Sequence, residues 1–196
     1  MILSKFILPL FLVMCFAQWF VTGRMVFQHE DVLKTGTAFS FKTAPIDPND
    51  PFRGKYVYLN YDFTEVVADS IQLWHQGDKV FVTIKKNNEG FAIPDKIHKE
   101  APVSETNYVQ ATISFVSNDG SKKMGILYPF DRFYVEEFVA PMAETVYVES
   151  QIDSTNTSFA LVKIKKGQAV IEDVFINDTS IIQIVKERMN KEVINK

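Results

Sequence analysis

The segment 108–116, "YVQATISFV", puts Val109, Ala111, Ile113 and Phe115 on one face of an extended chain and Gln110, Thr112 and Ser114 on the other. A side-chain period of two fits a half-buried strand and does not fit a helix. Asn118-Asp119-Gly120 follows, and then a second apolar run, "KKMGILYPF". Asp-Gly provides the positive φ that a tight turn needs, so the two runs predict an antiparallel hairpin. The pattern recurs. "KVFVTIKK", with Val80, Val82 and Ile84 on one face, turns at Asn87-Asn88-Glu89-Gly90 into "FAIPDKI", and "SFALVKIKK" turns at Gly167 into "QAVIEDVFI". With "TAFSFKT", which aligns Phe39 and Phe41, these runs predict a mainly β (β-rich α+β) fold. Most of residues 37–178 should be strand, in hairpins turning near Asn88, Asp119 and Gly167, with Ala111, Ile113 and Phe115 buried. Helical spacing is confined to residues 25–35, which Gly36 should end, to 136–149, and to the tail from Thr179, where Ile181, Ile182, Val185, Met189 and Val193 share a face.

Three pairs of segments echo one another in the same order at nearly constant offset. Ser40-Phe41 matches Ser114-Phe115, Tyr56-Val57 matches Tyr134-Val135, and "VTIKK" at 82–86 matches "VKIKK" at 162–166. Two tandem pseudo-repeats would place the two lysine-ended strands in equivalent positions. The alternative is the family likeness of strands in any β protein. The lysine pairs, Lys85-Lys86 and Lys165-Lys166, read as solvated hairpin ends that discourage edge pairing.

Before this body lies "FILPLFLVMCFAQWFV" at 6–21, an almost unbroken apolar run. Its length is at the lower edge of what crosses a bilayer as a helix, for which about 20 residues is usual. No small-x-small cleavage pattern follows it, and Trp19 and Phe20 stand where interfacial aromatics would. An uncleaved signal anchor is favoured over a cleaved signal peptide, and a buried helix is the third reading. The expected organisation is an anchor at 1–23, a β-rich body at 24–178 and an amphipathic helix at 179–196. Lys5 and the amino terminus favour an N-terminus in the cytoplasm and a body outside a bacterial inner membrane. The single cysteine, Cys15, lies within the run, so no disulfide or thiolate chemistry is available to the body. A net charge of −3 without a basic stripe argues against nucleic acid as a partner.

The segment 45–61, "PIDPNDPFRGKYVYLNY", holds three of the chain's eight prolines. Each proline fixes φ and extends the residue before it, and Asp47 and Asp50 are placed for Asx turns. The stretch reads as a stiff structural corner in which Arg53 pairs with Asp47 or Asp50, Gly54 permits an unusual approach, and Lys55 faces solvent. Tyr56 and Tyr61 should be core rings with hydroxyls tied to backbone; the alternatives are a binding platform of Tyr56, Tyr58 and Tyr61 and an anion contact by Arg53. A pure strand puts Leu59 and Tyr61 on one face and Tyr56 on the other, whereas the Tyr56-to-Leu59 spacing suits a helical turn or bulge. These residues resemble the GDYXXLXY family, named for Gly-Asp-Tyr-x-x-Leu-x-Tyr after a Pro-x-Asp-Pro-x-Asp-Pro-x-Arg run. The matching positions are Pro45, Asp47, Pro48, Asp50, Pro51, Arg53, Gly54, Tyr56, Leu59 and Tyr61, with Lys55 where the family has its acid. The resemblance extends to a second aromatic element at 132–135, carrying Arg132 and Tyr134. It implies a small membrane-anchored extracytoplasmic protein, often encoded beside multi-span membrane proteins, and no particular reaction.

Sharper chemistry has thin support. Asp47, Asp50 and Asp62 lack the ligand spacing of a calcium loop. His29, His75 and His98 fall in no triad motif, and no Gly-x-Ser-x-Gly is present. No cofactor, metal site or catalytic residue is predicted. The expected function is a membrane-anchored binding or accessory module associating with an integral membrane protein. The alternative is a membrane-tethered hydrolase, for example one in which Ser40 or Ser104 meets a lysine.

Overall fold

The structure, a computed structural model, describes residues 4–44, 56–68, 73–117, 119–152 and 155–194, with side chains from residue 8 to residue 191. Helix α1 spans Ser4–Thr35 without interruption. The expected separation of an anchor from a short helix at 25–35 is therefore absent, and Gly23 sits inside the helix with no atom near the place of its missing Cβ. A glycine costs a helix only about 1 kcal/mol, too little to break one that is apolar on both sides. At 32 residues the helix is about 48 Å long. It ends as anticipated at Gly36, whose N–H donates to the Val32 carbonyl at 2.8 Å. A Cβ at Gly36 would lie 2.5 Å from that same oxygen, so the tight exit needs glycine.

Twelve strands and two further helices follow among the described residues. They are β1 (Thr37–Ala44), β2 (Tyr56–Tyr58), β3 (Asn60–Tyr61), β4 (Glu65–Val67), β5 (Lys79–Lys86), β6 (Ala92–His98), β7 (Tyr108–Val116), β8 (Lys123–Leu127), β9 (Arg132–Tyr134), α2 (Ala140–Ile152), β10 (Ser158–Lys165), β11 (Gln168–Ile176), β12 (Thr179–Ser180) and α3 (Ile181–Ile194). The fold is β-rich with antiparallel sheets and a helix at each end. One sheet has the order β12-β11-β10-β1-β3, another has β4-β8-β7-β5-β6, and β2 pairs with β9 in a separate ribbon.

The three expected hairpins form. At the first, the Asn87 side chain accepts from the N–H groups of Glu89 and Phe91, and Gly90 takes φ 88°. At the second, Asp119 Oδ1 accepts from Ser121 N–H, and Gly120 takes φ 82°. At the third, Lys166 and Gly167 both have positive φ, which matches the right-handed twist of the flanking strands.

The echoed strands take topologically equivalent places. Strand β5, which carries "VTIKK", lies between β6 and β7, and β10, which carries "VKIKK", lies between β11 and β1. Each is thus flanked by its own hairpin successor and by the Ser-Phe strand of the other half. The halves have exchanged first strands, and their Tyr-Val elements meet in the β2–β9 ribbon, where Tyr56 pairs with Tyr134.

One core joins these layers. Val80, Val82, Val109, Ala160, Val162 and Val174 are all fully buried, and Ala143, Val146 and Tyr147 of α2 and Ile181 and Val185 of α3 close over it. Phe41 meets Tyr61, Tyr128 and Phe130 edge-on, with ring centroids 5.0–5.6 Å apart. Ala111 and Ile113 are buried as expected, but Phe115 is 43% exposed. A bulge between Ile113 and Phe115 leaves Ser114 without a partner in β8 and reverses the alternation beyond it. Ser114 Oγ and the Phe115 ring then lie over Gly125, where a Cβ would collide with both. The helix expected at 136–149 begins later, at Ala140, after a turn on the Glu136 carbonyl. The tail becomes helical at Ile181, because Thr179 and Ser180 first pair with β11.

Candidate functional site

Asp47, Asp50, Arg53 and Gly54 of the proline-rich corner, together with Lys55, lie outside the described residues. The motif residues that follow them are placed. Val57, Leu59 and Tyr61 point inward with at most 7% exposure, while Tyr56 and Tyr58 are half-buried and Asn60 is exposed. This is plain strand alternation, so the helical turn or bulge suggested by the Tyr56–Leu59 spacing is not formed. At Leu59 the chain leaves the ribbon and passes to β1, and the Leu59 N–H donates to the Asp131 carbonyl at 2.8 Å across that switch.

Tyr61 has the structural role expected of it. Its hydroxyl donates to the Phe130 carbonyl at 2.7 Å, and burial, followed by the nearby Tyr147, Asp131 and Tyr128, raises its pKa well above the usual phenol range. Tyr128 likewise donates to the Phe63 carbonyl at 3.1 Å. Tyr147 is pushed up to about 12, chiefly by burial. All three rings therefore stay neutral at physiological pH.

Tyr56 is less buried than expected because it stands on the outer face of the ribbon. There the structure joins it to the second aromatic element. The Tyr56 and Tyr134 rings are 5.7 Å apart, and the Arg132 guanidinium carbon lies 5.1 Å from the Tyr56 centroid. A hydrogen bond with Tyr134, then the Asp131 charge and Tyr56, raise the Arg132 pKa further. The two sequence motifs thus form one exposed patch, a guanidinium between two phenols. Tyr134 is 67% exposed and Phe138, just beyond it, 89% exposed.

A groove runs from this patch along α1. One stretch of about 310 Å³ is lined by His29, Arg132, Phe133, Tyr134 and Val170, among others. A second of about 420 Å³ shares His29, Pro129, Ala169 and Val170 and adds Lys79, Gln110, Thr112, Leu127 and Gln168. Sequence reasoning did not find this groove. Its residues come from α1, β5, β7, β8, β9, β11 and the loop between β8 and β9, and no local spacing connects them. The helix is held against it firmly. Val32 is 2% exposed, and Lys165 Nζ lies 2.6 Å from Asp31 Oδ2 and 2.7 Å from Thr35 Oγ1. Lys165 is therefore a docking residue and not a solvated hairpin end. Lys85 pairs with Asp95 at 2.5 Å, and Lys86 lies 5.8 Å from the Phe39 centroid.

Asp62 and His75 take structural places. Asp62 pairs with Lys42 at 3.4 Å, and Asp78 accepts from the His75 N–H at 2.9 Å as a turn cap. Among the described residues no cluster of three or more His, Cys, Asp or Glu is arranged to hold a metal. Neither a curated protein nor a solved structure matches the chain. The family model described as "GDYXXLXY protein" matches residues 18–174, from within α1 to β11, and the chain belongs to that family.

Proposed function

We propose that the protein is a membrane-anchored extracytoplasmic binding module that serves as an accessory to an integral membrane protein. One observation carries this reading. The apolar N-terminal helix, long enough to cross a bilayer, continues without a break into the body and is docked there through Val32, Asp31 and Thr35. A flexible tether would let the body wander, whereas this joint fixes one side of it relative to the helix. The Arg132–Tyr56–Tyr134 patch shares the groove with His29 of that helix, and exposed aromatic and arginine side chains of this kind anchor protein contacts. On this reading the N-terminus lies in the cytoplasm, the body lies outside a bacterial inner membrane, and the partner presents a loop or helix end to the patch.

Two measurements test it. A reporter fused after Lys196 should be active only outside the cytoplasm, and activity of a cytoplasm-dependent reporter would overturn the orientation. Affinity capture of the intact protein in detergent should bring down a membrane protein, and the double variant Tyr134→Ala/Phe138→Ala should lose it while melting as the parent does. Undiminished capture by that variant would remove the patch from the proposal.

A further inference from the structure

We infer that the groove at the foot of α1 binds the headgroup of an anionic glycerophospholipid, an inference that rests on α1 being a membrane anchor. On α1, Met25, Val26 and Phe27 are still 59%, 58% and 77% exposed, so apolar side chains resume after Arg24 and continue outward as far as Phe27, with the exposed Arg24 side chain long enough to reach the interface from one turn inside that limit. A hydrocarbon layer ending there places His29 two residues, or about 3 Å, further along the axis. The headgroup layer is roughly 5–7 Å deep on each side of the hydrocarbon. His29 lines the groove, and the joint between α1 and the body is fixed by the Lys165–Asp31 pair and buried Val32, so the groove stands at headgroup depth.

Its chemistry suits that position. Lys79 lines the groove and makes no ion pair among the described residues, and no carboxylate lines the groove among them either. An anionic phosphate therefore meets a cation without a competing charge. Gln110, Gln168 and Thr112 offer amide and hydroxyl groups to glycerol and ester oxygens, and Leu127, 55% exposed, provides an apolar lip where an acyl chain descends. Free phosphate would use Lys79 but would have no use for Leu127 or for the apolar surface of α1.

The test uses the full-length protein in nanodiscs of phosphatidylcholine, with or without phosphatidylglycerol, followed by native mass spectrometry of the lipid retained on release. The wild type should keep phosphatidylglycerol several-fold over phosphatidylcholine. Lys79→Gln should fall to parity, and Lys85→Gln, on the same strand but outside the groove, should keep the preference. Equal retention of both lipids by the wild type, an undiminished preference in Lys79→Gln, or displacement of the lipid by inorganic phosphate would each overturn the inference. Carbonate extraction from membranes tests the underlying anchor separately. A protein that stays in the membrane yet shows no lipid preference loses the lipid site alone, whereas one that washes out loses the anchor as well.

Discussion

The hairpins β5–β6 and β10–β11 are counterparts in sequence and in sheet position, yet they carry different loads. In the first, Lys85 turns back to Asp95 of its own hairpin partner. In the second, Lys165 reaches out to Asp31 of α1. The Ser-Phe strands beside them diverge as well. Phe41 in β1 is 1% exposed at the centre of a four-ring cluster, whereas Phe115 in β7 is turned outward by a bulge. Two near-copies of one strand plan have thus been specialised by what lies against them: a helix and a sealed aromatic core on one side, an open sheet face on the other. A sequence echo reports the strand plan and is silent about the load.

The largest test of this contrast lies in the two phenylalanines. Phe41→Ala should destabilise the body by about 3–5 kcal/mol through the cavity it leaves. Phe115→Ala should cost under about 1 kcal/mol, because so much of that ring already meets solvent. Thermal melts of the two variants in one detergent check this, and equal losses would erase the asymmetry. A smaller effect is expected where the outward ring rests. Gly125→Ala should cost roughly 1–3 kcal/mol by overpacking against Phe115 and Ser114 Oγ, and the loss should shrink in part when Phe115→Ala is added. A double-mutant cycle showing simple additivity would mean that the two positions are not coupled.

The smallest effect belongs to the helix joint, and its sign depends on pH. A hydrogen bond from Lys165, opposed by desolvation and aided by the charges of Lys165 and Lys166, holds the Asp31 carboxyl below its ordinary value of 3.8. A folded-state value below the unfolded one means that the contact contributes fully above pH 3.8 and is lost as pH falls through the folded value. Lys165→Met should therefore melt below the wild type at neutral pH, with the gap closing in acid. Lys85→Met should leave the helix joint untouched, and its effect should be unchanged in an Asp31→Asn background.

The alternation of Val80, Val82 and Ile84 and of Val109, Ala111 and Ile113 was legible because a buried face imposes its period on the chain directly. The same is true of the turns at Gly90, Gly120 and Gly167, where a backbone angle demands a residue type. Phe115 was misread because nothing in "ATISFV" marks the bulge; the room its ring takes lies across the sheet at Gly125, a position with no side chain. The continuity of α1 through Gly23 and Arg24 was hidden for a related reason. A glycine and a charge look like a boundary in a soluble chain, but neither outweighs the helix on both sides. For the candidate site, the sequence located Tyr56, Arg132 and Tyr134 as two separate motifs. Their union depends on strand pairing, and the groove with His29 and Lys79 depends on tertiary approach alone.

The exchange of first strands also sets a timetable for synthesis. Thr43 in β1 donates its hydroxyl hydrogen bond to the Ser158 carbonyl at the start of β10, 115 residues later in the chain. At a translation rate of roughly 5–20 residues per second, β1 leaves the ribosome about 6–23 s before the strand it pairs with. Throughout that interval the edge of β1 that will meet β10 is open, although Tyr61, Tyr128 and Phe130, which pack on Phe41, are made before β10. A nascent chain halted before β10 holds every strand of the β4-β8-β7-β5-β6 sheet but leaves one edge of β1 unpaired, and that open edge is an aggregation hazard.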